Sequence, residues 1–409
     1  MKNEKLKKKI YMSAPALVCC AGMNRNELYE SCLSGYQGGL AMRELPGTGE
    51  RFPVGIIRAE LPEVNLPEPV AQALDTKIIR VINAALEQLR PDVEKAVSRY
   101  GPKKIGVCLG SCDIGSEAVF LAQHVLFAQN TLPEDFSRYF RSASYSAEFI
   151  ARKFGVLGPA FTVAAACASG ASAIMRAVEL IRTGCCDAVI AGGADVVTDT
   201  VFAGFHSLEV LSGSLSNPFS KNRKGINLGE GAAFFLLESE KNSSVELSSP
   251  VELLGVGESV DACHMTRPGT DGAGPAKAMR AAILDAGISG EQIGYVNFHG
   301  TGTVLNDKAE NLAMETVFGA AYPPSSSTKP ITGHTLGAAG ALEAAICWAV
   351  LKEQRGLPVH CWDGVKDEEI PFPPADNSVK KTQAICMSNS FGFGGCNVSL
   401  ILGNGENEK

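Results

Sequence analysis

VAAACASGASAIMRAVELI (residues 163–181) and PITGHTLGAAGALEAAICWAV (residues 330–350) follow one pattern. In each, a reactive side chain stands where a strand-like run turns into a helix: Cys167 in the first, His334 in the second. Three and four residues on come Gly170 and Ala171, matched by Gly337 and Ala338. A helix with apolar spacing follows in both. It carries Ala173, Ile174, Ala177, Val178 and Ile181 in one, and Ala341, Leu342, Ala345, Ile346 and Ala349 in the other. The echo predicts a duplicated fold whose two halves present equivalent turns to one central site.

Outward from these stretches, apolar runs at 105–110, 160–166, 188–194, 295–298 and 385–390 read as strands, and segments such as 77–89 as amphipathic helices. This alternation predicts an α/β protein with buried sheets. The Ser-, Glu- and Lys-rich stretch 238–250 is the expected join, giving an N-terminal half over 1–250 with Cys167 and a C-terminal half over 251–409 with His299 and His334. The chain has 409 residues, 45% hydrophobic and 20% charged, enough for a large core and unlike a disordered chain. The net charge of −7 speaks against a general nucleic-acid binder. Thirteen scattered cysteines without a C-x-x-C pair argue against a disulfide framework and point to a reducing, cytoplasmic setting. Basic residues 1–9 before an apolar run to 23 have the outline of a signal peptide, but Pro15 interrupts the run and no small-x-small site follows, so a first β-strand is expected. No apolar run is long enough to span a membrane.

Cys167 falls at the N-terminus of a helix of small residues, where free N–H groups and the helix dipole favour a thiolate. Most cysteines are simply buried; here two histidine turns change that reading. Among the six histidines, His299 lies in NFHGTGT (297–303) and His334 in TGH (332–334), both Gly-rich turns after apolar strands. His124, in an apolar helix-like stretch, is expected to be a satisfied core residue. Zinc on Cys167 and the two histidines is a weaker alternative, because no carboxylate or thiol at metal spacing completes the set; no metal is expected. NSFGFGGCN (389–397) follows a further strand and could aim N–H groups at an oxyanion, with a plain glycine turn or a phosphate cradle as alternatives.

Five blocks taken together resemble the β-ketoacyl-acyl carrier protein synthases that elongate fatty acids, members of the thiolase superfamily. They are ACASG around Cys167, NPFSKNRKGINLGEGAA from Asn217, HGTGT from His299, SSTKPITGHTLGAAGALE from Ser326 and SNSFGFGG from Ser388. The likeness covers nearly the whole chain and is firmest from Gly158 onward. It implies a thiolase-like fold of duplicated halves in five αβαβα layers. It also implies a decarboxylative Claisen condensation, in which Cys167 takes the acyl chain as a thioester and malonyl-carrier protein loses carbon dioxide and attacks it. By the same resemblance His299 and His334 stabilise the enolate, and the N–H groups of Cys167 and Phe393 form the oxyanion hole. Lys329 and Glu343 form a supporting ion pair, Thr301 and Thr303 hold the pantetheine arm, and Phe393 gates the acyl chain. No cofactor of the enzyme's own is implied; the phosphopantetheine arm arrives on the acyl carrier protein. Lys77, Arg80, Lys221, Arg223 and Lys224 are candidates for a basic patch that would dock this acidic partner. The chemistry suits the residues: a thiolate is both nucleophile and leaving group, neutral imidazoles can donate to an enolate, and decarboxylation supplies the carbanion.

The sequence also departs from the family pattern. Cys396 replaces the usual Thr after GFGG; Val304 and Asn306 replace Pro and Gly; Ser220 and Lys224 replace two aspartates; and the loop at 110–115 reads GSCDIG. With CWDGV from Cys361, these features look more like the ketosynthases of bacterial aryl polyene clusters, which act as a homodimer or with a related chain-length-factor subunit. The rival readings are a thiolase-type acyl-CoA enzyme using Cys396 as a second cysteine, and a non-catalytic chain-length factor, which would lack the nucleophile. A cysteine hydrolase would need a Cys–His–Asn signature that is absent.

Overall fold

A computed structural model describes residues 8–64, 75–112, 115–133, 136, 142–239, 250–319, 322–370 and 384–404. In chain order its principal elements are β1 (Ile10–Met12), β2 (Ala16–Cys19), α1 (Arg25–Ser34), β3 (Leu40–Glu44), β4 (Arg51–Gly55), α2 (Lys77–Tyr100), β5 (Ile105–Gly110), α3 (Ser116–Gln129), α4 (Tyr145–Phe154), β6 (Ala160–Val163), α5 (Ser169–Arg182), β7 (Ala188–Asp195), α6 (Asp199–Ser207) and β8 (Gly231–Ser239). They continue with β9 (Val251–Val260), α7 (Ala273–Ala286), β10 (Tyr295–Asn297), α8 (Val304–Phe318), β11 (Ser325–Ser326), α9 (Lys329–Thr332), α10 (Ala339–Glu353), β12 (Ile385–Phe391) and β13 (Cys396–Gly403). Most of the expected join (240–249), residues 1–7 of the basic start, and Asp113 and Ile114 of the GSCDIG loop lie outside the described residues.

One strand order occurs twice. β6, β5 and β7 run parallel, β8 returns antiparallel beside β7, and β1 pairs with β8. Equally, β11, β10 and β12 run parallel, β13 returns antiparallel beside β12, and β9 pairs with β13. β1 also pairs with β9, so the two sheets are continuous through that strand. The apolar start of the chain thus becomes two short strands, β1 and β2, parted at Ser13 to Pro15.

The layers follow from which faces are apolar. Helices α5 and α10 touch each other and the inner faces of both sheets. Every residue from Ala339 to Leu351 is buried, as a helix in the central layer requires. α2 covers the outer face of the first sheet and α7 that of the second, with α8 on α7. The result is the five-layer α/β arrangement of a thiolase-like fold. α2 runs through Pro91, twenty-four residues in all, well past the 77–89 expected from its apolar spacing.

The echoed glycines explain the closeness of the central helices. A Cβ on Gly170 would lie 2.7 Å from the Gly337 carbonyl oxygen, and one on Gly337 2.5 Å from Asp195 Oδ2. Only glycine allows the two helix starts to meet so tightly. The site therefore lies where both halves send the carboxyl ends of parallel strands, the usual place for ligands in α/β sheets.

Candidate active site

β6 ends at Val163, three residues short of the expected strand, and the chain turns sharply into α5. Ala166 adopts a left-handed φ of 46°, a conformation costly for a residue with a Cβ and often found at functional sites. Ser169 Oγ pins the turn by accepting from Ala165 N at 2.9 Å and donating to Ala166 O at 2.6 Å. In the other half Gly333, directly before His334, has φ 68°. His334 is fixed through its backbone, whose N–H donates to Asn227 O at 2.6 Å while its carbonyl accepts from Gly229 N at 2.9 Å. These two turns bring Cys167 Sγ and His334 Nε2 to 3.0 Å. His299, at the end of β10, completes the group: its ring centroid lies 5.5 Å from that of His334 with the planes at 84°.

His299 is held from behind. Its N–H and that of Gly300 donate to Glu310 Oε1 and Oε2 at 2.8 and 2.7 Å. Lys329 Nζ donates to Glu343 and to the His299 carbonyl oxygen, and lies 3.4 Å from His299 Nδ1. An ammonium at Nδ1 leaves that nitrogen as acceptor, so the ring proton belongs on Nε2, facing the cavity. His334 Nδ1 has no hydrogen-bond partner among the described residues, so that ring is not locked in one tautomer.

Burial dominates the electrostatics. It pushes the Cys167 thiol up to about 11, although the Lys329 charge and the N–H groups of Phe393 and Cys167 itself pull it down. The thiolate expected from the helix N-terminus is thus not the resting form; desolvation outweighs the N–H groups. Burial, with the Lys329 charge, holds His299 and His334 well below the ordinary histidine range, so both are neutral. Burial also lifts Glu343 to about 7 and Glu310 to about 8. The ligand atoms of Cys167, His299 and His334 lie within 4.8 Å of one another, close enough to share a cation, but the adjacent ammonium of Lys329 opposes one.

Cys167, His299 and His334 open onto a cavity of about 530 Å³ that Thr301, Thr303 and Phe393 also line. The two threonine hydroxyls are 3.0 Å apart. Lys329 and Glu343 are buried behind it. Cys396 is not among the lining residues; its sulfur lies 4.0 Å from Ser172 Oγ and from Glu258 Oε1, away from the Cys–His–His group. The basic patch does not assemble as expected. Lys77 pairs with the buried Glu230 and Arg80 with Asp75. Arg223 is buried against Asp367. Lys221 and Lys224 are exposed, and only Lys224 lines the cavity. His124 is exposed, not a core residue, on the apolar helix α3.

The sequence reading passed over Asp195 and Glu310 as site residues. Asp195 closes the apolar strand β7, is wholly buried, and accepts from Ser111 Oγ, Cys112 N and Gly337 N. It ties the first half to the turn carrying His334. A lone acid ending an apolar strand is a visible signal; its partners in the other half are not. His360 is likewise structural: Nδ1 accepts from Ser327 N at 3.0 Å and Nε2 faces Pro218 O at 3.1 Å.

The fold and the thiol–imidazole constellation define a carbon–carbon bond-forming acyltransferase of the thiolase-like class. Residues 71–243 match the β-ketoacyl synthase N-terminal domain and residues 251–360 the β-ketoacyl synthase C-terminal domain; the chain belongs to the β-ketoacyl synthase family. It is similar to 3-oxoacyl-[acyl-carrier-protein] synthase 2 of Vibrio cholerae, 32% identical over 97% of this chain and 99% of that one. It is 35% identical to nodulation protein E of Rhizobium meliloti over 85% and 88%. Among solved structures it resembles the ketosynthase (ApeO) in complex with its chain length factor (ApeC) from Xenorhabdus doucetiae, with a TM-score of 0.87, 37% identity, and 99% and 100% coverage.

Proposed function

We propose that this β-ketoacyl synthase condenses a malonyl unit, delivered on acyl carrier protein, with an acyl group held on Cys167, and that it does so in aryl polyene elongation beside a chain-length-factor subunit. The observation that carries the reading is the 3.0 Å contact of Cys167 Sγ with His334 Nε2 beside a second neutral imidazole. In the first half-reaction the thiol gives its proton to His334 Nε2 and attacks the carrier thioester. The N–H groups of Cys167 and Phe393, both directed at the sulfur, receive the oxyanion. The tetrahedral intermediate collapses, the carbon–sulfur bond to the carrier breaks, and the departing sulfur takes the proton back from His334 Nε2, which returns to its neutral form.

In the second half-reaction malonyl thioester enters along Thr301 and Thr303. Carbon dioxide departs, and the electron pair it leaves forms an enolate. His299 donates from Nε2 to the enolate oxygen, and His334 joins it in its Nε2–H tautomer. The carbanion attacks the acyl carbon, and the tetrahedral intermediate expels the Cys167 thiolate, which regains from solvent the one proton that decarboxylation consumes. Neutral histidines suit this role: they donate a hydrogen bond to the enolate oxygen without surrendering the proton, whereas an imidazolium would convert the enolate into a less nucleophilic enol. Lys329 and Glu343 keep the His299 ring in one tautomer. No cofactor takes part in these steps.

The aryl polyene assignment is supported by the departures at Cys112, Val304, Asn306 and Cys396 and by the 37% identity to a ketosynthase solved with a chain length factor. A second subunit is supported by α3, whose Phe120, Leu121 and Phe127 are exposed, and by β6, which has one strand neighbour and a free edge among the described residues. A cytoplasmic setting is supported by thirteen free cysteines. The test is incubation with acyl-carrier protein followed by intact-mass analysis. One acyl adduct is expected on the unaltered chain and none on Cys167→Ala; an adduct that survives the substitution removes the nucleophile assignment.

A further inference from the structure

We infer that Phe205 is a positioning residue that latches the Phe393 ring in its closed place beside Cys167. This rests on the gate reading of Phe393. The two rings are stacked, 6.1 Å between centroids and 21° between planes, and both line the cavity that holds Cys167. They come from opposite halves of the fold: Phe205 from α6, Phe393 from the turn between β12 and β13. The turn bends through glycine. Gly394 and Gly395 have φ of 84° and 79°, and Gly394 and Phe393 are not buried. The N–H of Gly394 donates to the carbonyl of Met265, a residue 80% exposed, so the far side of the turn leans on a surface loop.

The support behind Phe205 is, by contrast, rigid. Phe202, one helical turn earlier on the same face, is wholly buried against Phe52 at 5.9 Å. Arg43 of β3 reaches Asp199 at the start of α6, at 2.5 Å, and His206 at its end meets Glu50 at 2.6 Å. Both ends of α6 are thus tied to the β3–β4 hairpin, which presents Phe205 as a fixed flat face to a ring on a glycine hinge. An aromatic face holds an aromatic ring in a set orientation, which an aliphatic side chain of similar size does not. Phe393 carries the N–H aimed at the Cys167 sulfur, so the latch also steadies that donor.

The test is the rate at which a small alkylating reagent, iodoacetamide, labels Cys167 in the full-length protein, followed by intact mass. Phe205→Leu is expected to raise the rate by about three- to tenfold, the size of one lost aromatic pair. Phe205→Tyr should restore the original rate, and Leu284→Ala, on the exposed face of α7 away from the cavity, should leave it unchanged. Phe393→Ala is run beside them. A raised rate in Phe393→Ala with no change in Phe205→Leu overturns the latch and leaves the gate; no change in Phe393→Ala overturns the gate reading itself. If Phe205→Tyr labels as fast as Phe205→Leu, the effect is general loosening and the latch is overturned. A kinetic readout separates the same cases: with the latch lost, kcat for condensation should fall while KM for malonyl carrier protein holds, and a shift in KM alone contradicts it.

Discussion

Cys167 is a thiol in a dry pocket, and its reactivity is a balance of opposed effects. Burial lifts it to about 11; the helix N-terminus, the Phe393 N–H and the Lys329 charge pull the other way. Because the pKa is raised, the thiolate fraction is small at neutral pH and grows as pH rises. Alkylation of the resting enzyme at Cys167 should therefore accelerate by about tenfold per pH unit between about pH 7 and 10. A plateau near pH 8 would show that the resting residue is already a thiolate. In the proposed mechanism, loading by substrate escapes this limit because His334 Nε2, at 3.0 Å, takes the proton as the bond forms. The same burial suits the paired histidines to the step proposed for them: burial that would harm a charged imidazole leaves a neutral donor in place.

At the scale of elements, the helix starts of α5 and α10 set the distance between Cys167 and His334. Gly170→Ala would push a methyl to 2.7 Å from the Gly337 carbonyl oxygen, a backbone atom that cannot yield cheaply. We expect a stability loss of about 1–3 kcal/mol from overpacking. Activity should fall by on the order of 100-fold, because the two reactive atoms part by a fraction of an ångström to one ångström. Thermal unfolding and condensation rate measure the two losses; full activity in a destabilised variant would contradict the coupling. Much of this was legible in the sequence. The repeated reactive-residue-then-glycine pattern gave both turns, since a strand-to-helix corner and a tight helix crossing each leave a local mark. What was not legible depends on partners distant in the chain. Glu310 reads as one more acid on α8 until His299 N and Gly300 N are seen to converge on it. Arg223 and Lys77 read as surface cations, yet their charges are answered by Asp367 and Glu230, over a hundred residues away in sequence. His124 misled because an apolar helix is ordinarily a buried one, and α3 is not.

For the whole molecule, that exposed helix bears on the proposed assembly with a second subunit. Phe127 is 88% exposed and Leu121 59%, both on α3. Apolar surface of this kind marks an interface. Phe127→Glu should shift the protein, or its complex with a chain-length factor, towards single subunits in sedimentation analysis; an unchanged mass would place the interface elsewhere. The duplicated architecture has a chemical purpose within one subunit as well. The first half brings Cys167, the second brings both imidazoles, and neither half alone holds all three groups. That division can be tested most directly with His299→Ala, supplied with acyl-carrier protein and then malonyl-carrier protein, with self-acylation and carbon dioxide release measured on the same sample. Cys167 should still become acylated while carbon dioxide release and the β-ketoacyl product are lost. Carbon dioxide release at the rate of the unaltered protein would contradict that division.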